Sequence, residues 1–168
     1  MIGLSTERLF LVDPYDEDHK KLIDNFEKDN NIQTNVSTYI KKIESSTREE
    51  YKKIKRISNE INEALFIESS NKIKDLCFIS GEKDISTCTI SFALLKTKLR
   101  TRKLLDQAVD FAKNTLNMKE IFIKANKNDK SILESLEKEN FENLGIQDGY
   151  ILYLTEAEEK KENQRKIA

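Results

Sequence analysis

Five cations crowd into eight residues, at Lys96, Lys98, Arg100, Arg102 and Lys103. They open a stretch with helical apolar spacing, so they sit at the start of an expected helix. The positive end of the helix dipole disfavours cations there. Their concentration therefore points to an anionic partner, with phosphate groups the natural match; a merely solvated basic helix start is the plain alternative. Few other residues are placed for chemistry. Glu68, near the end of a strand-like run, could take a proton or could be an ordinary surface carboxylate. The single histidine, His19, lies in an acidic helical stretch and reads as solvated. Cys77 and Cys88 have no Cys or His companions at ligand spacing, so no metal site is expected.

These residues need a scaffold, and the apolar pattern supplies one. Residues 8–12 form a short β-prone run closed by Asp13-Pro14. Asp16-Glu17-Asp18 suits a first helical turn, with Leu22, Ile23 and Phe26 following at helical spacing. A second helix begins at Asn35, with Val36, Tyr39, Ile40 and Ile43 on one face. Ser46-Thr47-Arg48-Glu49 fits a capping box and suggests a fresh helix carrying Tyr51, Ile54 and Ile57. The period then changes. Residues 64–67, 73–80 and 85–94 read as an antiparallel meander, with turns at Ser69-Ser70-Asn71 and Gly81-Glu82-Lys83-Asp84. A symmetric second turn would face Cys77 to Cys88, as two reduced thiols.

A strong helix follows over residues 100–116, its buried stripe formed by Leu104, Leu105, Ala108, Phe111, Ala112 and Thr115. Residues 121–125 are a strand. Asn128-Asp129 caps another helix to about Lys138, and residues 141–144 and 150–154 are strands around Asp148-Gly149. The order is β-α-α-β-β-β-α-β-α-β-β, an α/β (α+β) fold with a mixed sheet and helices on both faces. A right-handed crossover makes strand 85–94 parallel to strand 121–125. Residues 1–155 form one domain, and 156–168 a charged tail.

Composition bounds the function. Hydrophobic residues make up 38% and charged residues 35% of 168, enough for one domain with a real core. The net charge of −1 offers no overall footprint for nucleic acid. No apolar run has membrane-spanning length and the N-terminus lacks a secretion signal, so a cytoplasmic protein is expected.

Element order and local sequence together resemble the GNAT N-acyltransferase superfamily. Thr6-Glu7-Arg8-Leu9-Phe10-Leu11 is similar to the Thr-Glu-Arg-Leu-x-Leu opening of members that acetylate ribosomal-protein N-termini. The run Phe111-Ala112-Lys113-Asn114-Thr115-Leu116-Asn117-Met118 resembles the end of the family's central helix. Asn128, Ser131, Leu136-Glu137-Lys138 and Phe141 resemble its Asn-x-x-Ser…Leu-Glu-Lys-x-Gly-Phe segment, with one extra residue and Asn140 for glycine.

The resemblance implies acetyl-CoA as co-substrate, without a metal, and a primary amine as acceptor, either a small molecule or a protein N-terminus. The apolar pattern and the net charge, rather than the resemblance, speak against a membrane or nucleic-acid partner, and a monomer or homodimer is expected. The family's phosphate loop, Arg/Gln-x-x-Gly-x-Gly/Ala, falls on Lys96, Leu99 and Thr101, so it is degenerate: none of the four glycines lies there. Lys98, Arg100 and Arg102 would supply charge in place of glycine. Pantetheine would pair with the strand end at Ser91, Phe92, Ala93 and Leu94. Asn128 would contact the cofactor, Ser135 stands near the family's thiolate-protonating tyrosine, and Glu68 is the candidate base. A non-catalytic GNAT-fold module binding a macromolecular or phosphate-bearing partner is the alternative, and an enzyme using a different acyl donor a third reading.

Overall fold

The computed structural model describes residues 7–93, 98–128 and 130–156, with the backbone alone for residues 98–102 and 131. The elements are β1 (Arg8–Leu11), α1 (Glu17–Asn30), α2 (Asn35–Ile43), α3 (Arg48–Ile57), β2 (Glu60–Ser69), β3 (Lys72–Glu82), β4 (Thr87–Phe92), α4 (Lys98–Asp110), β5 (Glu120–Asn126), α5 (Lys130–Lys138), β6 (Glu142–Gln147) and β7 (Tyr150–Glu156). The strands form one sheet in the order β1-β2-β3-β4-β5-β7-β6. The β4–β5 pair is parallel and the others are antiparallel. The mixed sheet with helices on both faces is as the pattern implies.

Strand alternation sends apolar side chains to both faces, giving two cores. On one face α4 and α5 bury Leu104, Leu105, Ala108, Ile132 and Leu136 against Ile79, Ile90, Ile121 and Ile123. On the other, α1 and α2 bury Ile23, Phe26, Val36 and Ile40 against Phe66 and Leu76. Each fully buried aliphatic or aromatic side chain contributes about 1.5–3 kcal/mol.

Several local expectations change. Three helices, not two, precede β2. The capping box is one residue later than read: Thr47 accepts the Glu50 N–H at 3.1 Å, and Glu50 accepts the Thr47 N–H at 3.2 Å. The helix it opens, α3, buries no residue, leaving Ile54 52% and Ile57 75% exposed. The β3–β4 turn falls at residues 83–86, because Gly81 belongs to the strand. A Cβ there would lie 2.3 Å from the Thr87 carbonyl oxygen, so only glycine allows this approach. The register consequently sets Cys77 opposite Phe92 and Cys88 opposite Gly81, not each other.

The central helix begins at Lys98, two residues early. It ends in a π-helical turn, Phe111–Thr115, where the Leu116 N–H reaches the Phe111 carbonyl at 3.0 Å. That widening exposes Thr115 and packs Leu116 on the core in its place. His19 is not a solvated surface group. Its side chain is 15% exposed, and its ring meets Phe10 and Phe66 edge-on at 5.7 and 5.1 Å. Its Nδ1 accepts the Asp13 N–H at 3.0 Å. It shares the helical stripe of Leu22, Ile23 and Phe26. The tail expected from residue 156 lies outside the described residues beyond Glu156.

Candidate functional site

The parallel pair is where the sheet forks. β4 and β5 are in register from Thr87 opposite Glu120 to Ser91 opposite Lys124, and there the pairing ends. Past that rung the Ala93 N–H donates to Leu76 of β3 at 2.9 Å. Ala125 and Asn126 keep only their β7 partners, Ile151 and Tyr150. The Phe92 backbone therefore faces the gap with no strand partner on its β5 side.

A cavity of about 240 Å3 opens at this fork. Its walls come from four sources, one of them β3 with Leu76, Cys77 and Phe78. The α1–α2 connection brings Ile32, Gln33 and Thr34 with Asn35 and Val36, the end of β4 brings Ser91, Phe92 and Ala93, and β5 and β7 bring Lys124 and Tyr150. Ile121, Ile123 and Ala125 point into the α4–α5 core, so the alternating Lys124 points to the α1–α2 side. Its Nζ stands 4.3 Å over the Tyr150 ring. The Glu27 carboxylate holds the α1–α2 wall from behind, accepting the Thr34 N–H at 2.6 Å and the Ser37 hydroxyl at 2.5 Å.

The predicted residues distribute around this fork unevenly. Ser91, Phe92 and Ala93 line the cavity. Leu94 and Lys96 lie outside the described residues. Lys98, Leu99, Arg100 and Thr101 form the first turn of α4, and Arg102 follows. Their backbone is helical, which Leu and Thr adopt without strain, so the missing glycines impose no conformational penalty there. The first four N–H groups of any helix lack intrahelical acceptors, and here they belong to these residues. Lys103 is engaged with Glu7 at 3.6 Å.

Asn128 is exposed, and its N–H donates to Asn126 Oδ1 at 2.9 Å. It precedes α5, whose first residue is Lys130. Ser135 is half-buried on α5. Glu68 is not at the fork: it accepts the Asn71 N–H at 2.9 Å and lines a separate cavity with Arg8, Asp16 and His19.

Sequence reasoning missed Lys124 and Tyr150 as wall residues. Tyr153 is fully buried, and its hydroxyl donates to Glu137 at 3.4 Å. Burial and the Glu137 charge both raise its pKa, so it stays a proton carrier at neutral pH. Asp75, also unforeseen, is 2% exposed and next to Leu76, the residue that receives the Ala93 N–H. Among the described residues, no group of three His, Cys, Asp or Glu side chains could hold a metal ion. None of the described helices is long and apolar enough to cross a membrane.

No protein-family profile matches the sequence, and no curated protein matches it. Solved structures do match. Apo FdhC, described as a nucleotide-linked sugar GNAT, superposes with a TM-score of 0.64 at 15% identity, covering 97% of this chain and 93% of its own. The ribosomal-protein-S5-alanine acetyltransferase of Vibrio fischeri gives 0.67 at 11% identity, covering 94% and 97%. The Campylobacter jejuni N-acetyltransferase PseH, in complex with acetyl coenzyme A, gives 0.55 at 11%, covering 89% and 99%. With near full-length overlap on all three, a sheet forked at its one parallel pair and helices on both faces, this chain has the fold of the GNAT acetyltransferases.

Proposed function

We propose that the protein is an acyl-CoA N-acyltransferase that moves the acetyl group of acetyl-CoA to a primary amine, a small molecule or a protein N-terminus. The fork between β4 and β5 is the observation that carries this reading. An extended pantetheine arm can add to the β4 edge past Ser91, at Phe92 and Ala93, as a strand would. The acyl end then emerges into the cavity on the α1–α2 side. The first turn of α4, beginning at Lys98, has backbone N–H groups without intrahelical acceptors, and it is the proposed seat of the phosphates. Asn128, exposed just before α5, is the further proposed contact.

The amine nitrogen attacks the thioester carbonyl, a C–N bond forms, and the C–S bond breaks. The ammonium substrate gives up two protons, of which the departing thiolate takes one and solvent the other. Ser135 on α5 is the proposed hydrogen-bond donor to the thiolate. Among the described residues the cavity wall holds no carboxylate, and Glu68 lines another cavity, so the amine proton is proposed to leave through water.

A thermal-shift titration with CoA and acetyl-CoA tests the reading. Ligand at about 100 times its Kd stabilises by about 2.7 kcal/mol, a rise of roughly 5–10 °C for a domain this size. Ser91→Trp, which fills the fork, should abolish the rise. A flat response to both ligands would leave the non-catalytic module, which the glycine-free loop favours, as the better account.

A further inference from the structure

We infer that the acceptor is a small amine carrying a compact anion, a free α-amino acid being the simplest case, held at that anion by Lys124. This rests on the acyltransferase reading above and names the substrate class it leaves open.

The charge of the cavity wall decides the class. Gln33, Thr34, Asn35, Ser91 and Tyr150 supply neutral polar groups, and Lys124 is the one charged residue among the described lining. Its ammonium forms no ion pair among the described residues; its contact is the Tyr150 ring. Glu27 stands behind the wall, where its carboxylate is taken by Thr34 and Ser37, and it does not line the cavity. The pantetheine arm is uncharged where it would pass the fork, so it leaves the Lys124 charge unanswered. A carboxylate answers it. A diamine or a longer polyamine would bring a second cation against the lysine with no wall acid to receive it.

Size and chemistry agree. A cavity of about 240 Å3 admits a small molecule or one residue's end, not a folded surface. Lys124 is thus proposed to bind the anion. The bond changes remain those given above: C–N forms, C–S breaks, and one proton is released net.

The test uses the full chain with saturating acetyl-CoA and three matched acceptor sets: the common L-amino acids, their C-terminal amides, and short diamines. The amides stand for a peptide N-terminus. Thiol release gives kcat/KM, and the melting temperature of the CoA-loaded protein gives acceptor binding without turnover. The free acid should exceed its amide by roughly 10- to 100-fold in kcat/KM or affinity, the range expected for one hydrogen bond to a charged group. Lys124→Gln should erase that preference, and Lys124→Glu should turn it toward diamines, with the CoA shift retained in both. Amides or diamines equal to the acids, a preference surviving in Lys124→Glu, or no acceptor moving the CoA-loaded protein would each overturn the inference. Absence of any CoA shift in the wild type would instead remove the acyltransferase reading beneath it.

Discussion

Replacing Gly81 with alanine isolates one backbone contact and predicts a large loss from a single methyl group. A Cβ at this position would lie 2.3 Å from the Thr87 carbonyl oxygen and 2.8 Å from both Cα and Cβ of Cys88. These are backbone or backbone-anchored atoms, so no side chain can swing away. To reach even 3.0 Å, the strands must separate by about 0.7 Å where Gly81 faces Cys88. Overpacking of this kind costs about 1–3 kcal/mol, and each weakened ladder bond adds about 0.5–1.5 kcal/mol. The sum is roughly 2–4 kcal/mol, which lowers Tm by about 5–15 °C for a domain of this size. Urea titration and calorimetry on Gly81→Ala would measure it. Gly81 lies at the end of β3 remote from Leu76 and the fork, so the increment of Tm produced by CoA should match that of the wild type. A variant melting within 1–2 °C of the wild type would refute the packing argument (the expected effect is several times larger).

Other consequences are open to equally direct measurement. Burial would raise the Asp13 pKa, but the Tyr15 N–H and the Arg48 guanidinium outweigh it and hold it below the ordinary 3.8. A depressed carboxylate stabilises the fold above its unfolded pKa and loses that contribution as pH falls through the folded value. Asp13→Asn should therefore lower the urea midpoint at neutral pH by well under about 1 kcal/mol equivalent, and the gap to wild type should close below 3.8; a gap that widens in acid contradicts the sign. Burial pushes the Cys88 thiol up to about 12 and the Cys77 thiol higher still. Neither should react with a thiol reagent in the folded protein, and both should on denaturation; fast labelling of the native chain would show the burial wrong. Thr47→Ala should cost about 1 kcal/mol by removing the capping oxygen of α3, read as a Tm fall of about 2–4 °C, and an unchanged Tm would mean α3 adds nothing to global stability.

The meander and the central helix were legible because their apolar periods are strong and local. Leu104, Leu105 and Ala108 are fully buried, as their spacing implies. Misreadings came where a residue's usual role differs from its local one. Gly81 resembles turn punctuation, yet it serves a close strand approach fixed by Thr87, a residue beyond the turn. His19 reads as a polar residue among acids, although it sits four residues before Ile23 on the buried stripe. The fork was legible only as a position, the end of the third meander strand. Lys124 is one of 29 cations, and only the divergence of β4 from β5, a non-local event, turns it toward a cavity. The polar member of an otherwise apolar run, residues 121–125, was the available signal.

The π turn at the end of α4 has a consequence for everything downstream. A helix counts residues by 3.6 and a strand by two, so a single-residue slip at their junction inverts every later side chain across the sheet. The widened turn absorbs one residue before Met118 closes back on Ala112 at 2.9 Å and Asn117 takes a φ of 58°. It works as a phase adjuster between the two counting systems. Deleting that one residue, with the rest of the chain unchanged, would aim Phe122 and Lys124 at the hydrophobic interior and turn Ile121 and Ile123 outward. The polarity of the cavity is thus set upstream of the strand that lines it.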